Sequence, residues 1–365
     1  MRSTERRQPP LHATRARLVW LTVLALVTLG ATPARIAGQK PIQGAPPGLE
    51  RYLQSLGLGA QPLATAAAGK AVAKLLKTAN NRDVAVLGII GVRASRDSIV
   101  ARALAAGGAV APRGSRSGGF GNPPSAADVG ALAFDSGEYR DLQQCRRGDC
   151  DFKLPASAMQ AFVKEVDWSS PNAKAQADER LRAGVVRLVT DYEHRGNAAM
   201  LTYDDRGGVR ASDVFDALLA QSSDLYEYAP DLQRYLTTYP SAPPNGAHDF
   251  LYWSEDRLPK MRPTLTLNHV VVYAPPTGTA FLARKQIYAS HYFEGGFEVL
   301  AVVDAGPSAT RADVGPGAYL VTVRRFRFDN LPGGLLNVRG RVRDKLVDAT
   351  RADLGRQRAA MEAKP

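Results

Sequence analysis

The sequence predicts an α+β fold: an antiparallel sheet and a long C-terminal helix in residues 264–361, preceded by a largely helical insertion in residues 155–240. Three observations carry this. Four long runs between residues 264 and 328 are rich in β-branched and aromatic residues and separated by turn residues, the pattern of an antiparallel meander. After Pro332-Gly-Gly334, residues 335–361 keep apolar side chains near one helical stripe (Leu335, Val338, Val342, Leu346, Ala349, Leu354), with Arg339, Arg343 and Lys345 off it. Between residues 155 and 240 helical spacing recurs almost throughout.

The elements follow in chain order. Residues 1–17 carry five Arg against one Glu, and Leu18 opens fourteen uncharged residues that end among small ones. A basic region, a short apolar region and a small-residue exit define a signal peptide over residues 1–38. At 1.5 Å per residue the apolar run reaches roughly 21 Å, short of the roughly 30 Å hydrocarbon core, so a retained anchor is the alternative. Export to the periplasm or medium is expected. Removing residues 1–38 takes away six Arg and one Glu and lowers the formal charge from +12 to +7. Residues 324–358 hold ten Lys/Arg against four Asp, so the remaining basicity is one C-terminal feature rather than a nucleic-acid footprint. With 45% apolar and 22% charged residues, the 365-residue chain also excludes collagen-like, coiled-coil and wholly disordered classes.

Residues 39–65 read as a Pro/Gly-rich linker, and residues 66–361 as a single α+β domain. Residues 66–77 suit a helix or a first strand. Val84-Ala-Val-Leu-Gly-Ile-Ile-Gly-Val92 reads as a buried strand, followed by a helix over 96–106 with Ser95 as N-cap. Residues 107–124, with six Gly and three Pro, read as a loop. A helix near 136–144 leads to Cys145-Arg-Arg-Gly-Asp-Cys150, and in an exported chain these two cysteines are expected to form a disulfide across a tight turn. Phe152-Lys-Leu154 suits a brief strand. Helices follow over 155–166, 173–194 and 211–219, the last with Ser212 as its cap, and a further one carries Tyr226, Tyr228, Tyr235 and Tyr239. Phe250, Tyr252 and Trp253 read as packing anchors where this block meets the sheet. In the sheet, strands are expected over 265–273, 281–293, 297–303 and 319–328, with Gly295-Gly296 as a turn.

The strand and helix of residues 84–106, the strands and helix of 264–361, and the Leu331-Pro-Gly-Gly-Leu335 entry to the last helix together resemble the START-like (SRPBCC, helix-grip) domains. The resemblance implies a curved antiparallel sheet wrapping the C-terminal helix, with an apolar cavity between them. It leaves the helical block 155–240 as an insertion. The blocks 145–154, His248-Asp-Phe-Leu-Tyr-Trp-Ser254 and Lys285-Gln-Ile-Tyr-Ala-Ser-His-Tyr-Phe293 are similar to a family of uncharacterised exported bacterial proteins.

No zinc spacing, nucleophile elbow, P-loop or dinucleotide fingerprint is present, so neither cofactor nor metal is expected. On the strand 281–293, alternation puts Lys285, Ile287, Ala289, His291 and Phe293 on one face. Arg284, Gln286, Tyr288, Ser290 and Tyr292 fall on the other. Polar groups among aromatics on both faces fit a cavity with polar anchors, for which Arg284, Gln286, Tyr288, His291 and Tyr292 are the candidate ligand residues. They equally fit a sheet covered on its second face by the insertion. His269 and His291, oriented by Asp249, are the candidates for acid/base work. Arg324, Arg325 and Arg327, interleaved with Phe326 and Phe328, offer a patch for anionic membrane or a solvated edge. The leading expectation is a non-enzymatic binder of a lipid or other apolar small molecule. The alternatives are a hydrolase or isomerase-type enzyme on a hydrophobic substrate, and an envelope-associated structural protein without a pocket.

Overall fold

Ten consecutive residues, Asp83–Val92, form a strand in which every side chain is buried, and such a strand needs cover on both faces of its sheet. The computed structural model describes residues 47–107, 116–256, 262–306, 315–329 and 338–363, all within one unit, Pro41–Pro365. The expected signal segment and the 331–335 turn lie outside the described residues. In chain order the elements are α1 (Pro47–Ser55), α2 (Ala60–Ala67), β1 (Val72–Leu76), β2 (Asp83–Val92), α3 (Arg96–Ala105), β3 (Arg116–Gly119), α4 (Ser136–Leu142) and α5 (Ala156–Glu165). Then come α6 (Ala173–Arg195), a small hairpin of β4 (Thr202–Tyr203) and β5 (Val209–Arg210), α7 (Ala211–Ala220), α8 (Ser223–Tyr228) and α9 (Pro230–Thr238). Five long strands and a helix complete them: β6 (Ala247–Asp256), β7 (Thr264–Tyr273), β8 (Ala280–Ala289), β9 (Phe293–Asp304), β10 (Ala318–Phe328) and α10 (Val338–Glu362).

The fold is α+β, with an eight-stranded antiparallel sheet in the order β1-β2-β10-β9-β8-β7-β6-β3 and a long C-terminal helix. Strands β6 to β10 are a meander of sequential neighbours, closed by β2 pairing with β10. Alternation sorts the side chains between two cores. On one face Ile90, Val92, Val270, Val272, Leu282, Val302 and Leu320 pack under α3 and Leu354 of α10. On the other face Leu267, Val271, Phe281, Ala283, Phe297 and Val299 pack under α6, α7 and α9. The meander and the covered second face agree with the sequence; the details diverge in instructive places.

The expected linker 39–65 contains α1 and α2. Leu49 and Leu53 of α1, Leu58 between the helices and Leu63 of α2 share a buried cluster with Leu87, Ile89, Tyr319, Val321 and Val323, so the apolar spacing outweighs the Pro and Gly content. Residues 66–77 resolve into the end of α2 and edge strand β1. Ser95 caps α3, accepting from the Ser98 amide at 3.2 Å. Within the expected loop 107–124, Arg116–Gly119 forms the opposite edge strand, paired with β6. Residues 152–154 are not a strand, although Lys153 N donates to Ser290 O at 2.9 Å. Ser212 does not cap α7: the N-cap is Arg210, and the Ser212 hydroxyl faces Asp213 instead. On α10 the buried stripe runs through Val347, Thr350 and Leu354, while Ala349 is exposed.

The chain reverses at residues 290–292, where Tyr292 adopts φ 62°, and not at Gly295-Gly296. Those two glycines lie inside β9. A Cβ at Gly295 would sit 2.7 Å from Val214 Cγ1 of α7, so the missing side chain lets that helix approach the sheet.

Cys145 and Cys150 form the expected disulfide. Both are buried in a satellite cluster with Phe134, Leu142, Phe152, Leu154, Met159 and Phe162. Replacing both by Ser is expected to cost about 2 kcal/mol, from the loop-closure entropy returned to the unfolded chain. Urea denaturation of the oxidised protein and the double variant measures it.

Candidate functional site

The five candidate ligand residues do not converge. Opposite β7, Leu267 pairs with Tyr288 and Asn268 with Gln286, leaving Ile287 bulged from the ladder. The bulge breaks the simple alternation. Arg284 and Gln286 stay on the α10 face, whereas Tyr288 joins Lys285 and Ile287 on the face covered by α6 and α7. Arg284 pairs with Glu298 and donates to the Tyr252 hydroxyl at 3.2 Å. His291 lies in the turn, its Nδ1 donating to Asp151 O at 2.7 Å and its Nε2 lying 3.2 Å from Glu138 Oε1. The Tyr292 hydroxyl accepts from the Arg262 amide at 2.9 Å.

Of the candidate acid/base residues, the structure joins His269 to Asp249 and keeps His291 apart. A carboxylate only accepts, so His269 Nε2–H donates to Asp249 Oδ1 at 2.7 Å and Nδ1 accepts the Tyr192 hydroxyl proton at 2.9 Å. Tyr235 donates to the second Asp249 oxygen at 2.8 Å. Burial keeps His269 below its ordinary value, despite the opposing pull of Asp249, and pushes the Tyr192 phenol well up, so imidazole and phenol are both neutral. His269 is opposite Lys285, whereas His291 lies beyond the Thr266–Ala289 pair. That is about five residues along the strand, or roughly 16 Å.

Lys285 extends this polar layer, and the sequence reading missed it. Its ammonium nitrogen donates to Asn197 Oδ1 and, at 3.4 Å, to Leu236 O. It also sits 4.8 Å from the Tyr192 ring centroid and 4.5 Å from that of Phe215. Burial holds its titration down to about 7 against the pull of Asp216 and Asp249. The signal was present: a lysine in step with Phe281 and Ala283 on the core-facing side of a strand. Both Lys285 and His269 are 0% exposed, and of this network it is the Asp249 end that meets solvent, its side chain 29% exposed.

The accessible site is elsewhere, on the insertion face. Phe162 of α5 and Val166, just past its end, share a buried cluster with Ala173 and Ala177 at the start of α6, and a cleft of about 510 Å³ is lined by both helices. Ser157, Ala158 and Ala161 line one wall; Ala183, Gly184 and Arg187 line the other; Leu267 and Tyr288 form the sheet floor. Phe134, Phe152, Phe162 and Leu181 also line it. The lining follows α6 from Arg180 to Arg195, a length of roughly 22 Å at 1.5 Å per residue. The volume falls within the roughly 300–1,000 Å³ of small-molecule sites. Of the five expected ligand residues, Tyr288 reaches it, with its phenol kept protonated by burial.

The cleft is therefore on the sheet face opposite α10, and not beneath the C-terminal helix. On the α10 face Arg284, Glu298, Arg324 and Asp353 form a ladder of ion pairs. This also places the arginines expected at a membrane-facing edge. Arg324 is in that ladder, Arg325 Nε donates to Ser222 Oγ at 3.0 Å, and Arg327 grips Asp83 with two bonds of 2.6 and 3.0 Å. All three are engaged within the fold, with Arg325 6% exposed.

No protein-family model matches the chain, and no curated relative does. Among solved structures, the crystal structure of the di-domain ARO/CYC BexL from the BE-7585A biosynthetic pathway is a distant neighbour, with 16% identity and a TM-score of 0.23. That match covers 57% of this chain and 61% of the other, less than two thirds of its length. At that score the likeness decides neither site nor activity.

Proposed function

We propose that the protein is an exported, non-enzymatic binder of a lipid or other apolar small molecule, held in the cleft between α5 and α6. The N-terminal signal-like segment and the disulfide support export. The observation that carries the binding reading is Gly184. A glycine inside a 23-residue helix is about 1 kcal/mol less favourable than alanine. No heavy atom lies within 4 Å of where its Cβ would stand, so packing does not demand it. Its effect is to leave the cleft open. An acid/base enzyme has less support: His269 is sealed behind Tyr192 and Tyr239, and His291 is committed to Asp151 and Glu138.

Native mass spectrometry of protein purified from its own cell envelope tests this. An apolar molecule near one per chain is expected on the natural protein and depleted on Gly184→Leu, whose side chain obstructs the cleft wall. Gly184→Ala serves as a folding control and is expected to gain about 1 kcal/mol. A ligand-free natural protein, or undiminished ligand on Gly184→Leu, overturns the reading.

A further inference from the structure

The two ends of the cleft differ in how their charges are balanced. At the end nearer Phe162, Arg180 reaches across from α6 to pair with Glu165 of α5, one cation to one anion. At the other end Arg187, Asp191 and Arg195 recur every four residues, so they share one face of α6. There two cations share one carboxylate. Asp191 lies 3.2 Å from Arg195 and 3.9 Å from Arg187. The Arg187 side chain is 86% exposed and that of Arg195 57%. Between the ends the lining is aliphatic and aromatic: Leu181, Val185, Leu188, Phe152, Leu267 and Tyr288.

We infer that the ligand is a single-chain anionic amphiphile, its acidic headgroup at Arg187 and Arg195 and its tail directed toward Phe152 and Phe162. The inference rests on the cleft being the binding site. An elongated groove of roughly 22 Å suits one extended chain, and its mouth carries one positive charge more than its acid balances. Guanidinium groups recognise carboxylate and phosphate by charge-assisted hydrogen bonds, so a neutral or cationic head forgoes that interaction.

Displacement of the neutral dye Nile red from the full chain, by palmitate, hexadecanol and hexadecyltrimethylammonium, separates headgroup from tail. Palmitate is expected to displace the dye at roughly tenfold lower concentration than hexadecanol, the scale of one charge-assisted bond, and the cation to be weakest. In an Arg187→Gln/Arg195→Gln protein the preference for palmitate over hexadecanol is expected to fall to about one. Equal displacement by palmitate and hexadecanol in the natural protein overturns the anionic head and leaves the cleft intact. A palmitate preference that survives the double substitution overturns its placement. Failure of every amphiphile and of the dye to bind overturns the cleft reading as well.

Discussion

Gly196→Ala is expected to lose about 3 kcal/mol or more, a large effect for one methyl group. Gly196 ends α6 at φ 54° and ψ −133°, a region of backbone space that L side chains rarely enter, which alone costs on the order of 1–3 kcal/mol. The added Cβ also has nowhere to go. It would overlap the carbonyl oxygen of Tyr239 and lie 2.8 Å from its carbonyl carbon, both of them backbone atoms. Tyr239 cannot retreat cheaply, because its ring stacks on Tyr192 at 5.0 Å and lies 4.2 Å from the His269 ring. The strain therefore passes into the layer that holds Asp249, His269 and Tyr192. Urea unfolding measures the loss. A cost below 1 kcal/mol would mean that the junction between α6 and α9 yields, and that Gly196 only ends a helix.

The same junction illustrates what was legible in the sequence. Strands β2, β7, β8 and β10 announce themselves through local runs such as Val84-Ala-Val-Leu and His269-Val-Val-Val, where β-branched side chains select extended backbone. Strand β6 does not. His248-Asp-Phe-Leu-Tyr-Trp-Ser254 alternates Leu251 and Trp253 toward one core with Phe250 and Tyr252 toward the other, and its flanking polar residues mask the period. The bulge at Ile287 depends on register against β7, a property of two strands rather than one. It decides that Tyr288 faces the cleft while Gln286 does not. The arginines 324, 325 and 327 are engaged by Asp83, Ser222, Glu298 and Asp353, partners remote in sequence. The cleft was least legible. Both α5 and α6 line it, and small wall residues such as Ala158, Ala161 and Ala183 carry no signature that sets them apart from ordinary helix surface. Only Gly184, inside an otherwise sound helix, marks it locally.

Lys285→Met is expected to stabilise the protein at pH 6 and to destabilise it above pH 10. Burial takes the Lys285 amine from 10.5 to about 7, with Asp216 and Asp249 pulling weakly the other way. Between those values the unfolded chain holds a proton that the native chain lacks, so stability rises with pH across the window. Below pH 7 both states are protonated and the penalty is at its full size, on the order of 5 kcal/mol for that gap. Above 10.5 both are neutral and the penalty is gone. Methionine fills nearly the same space beside Phe215 and Tyr192 without the amine, so it carries no such penalty at any pH. What it forfeits is the hydrogen bond to Asn197 Oδ1, worth about 1–3 kcal/mol when the buried acceptor is left alone. The difference between the two proteins should then change sign between pH 6 and pH 10.5, with the variant ahead by about 2 kcal/mol at the acid end. Urea denaturation at several pH values reads it directly, and subtracting the variant cancels the titration of surface groups. A difference that stays constant across the range would mean that the ammonium remains charged in its niche, held by the faces of Tyr192 and Phe215 strongly enough to offset burial.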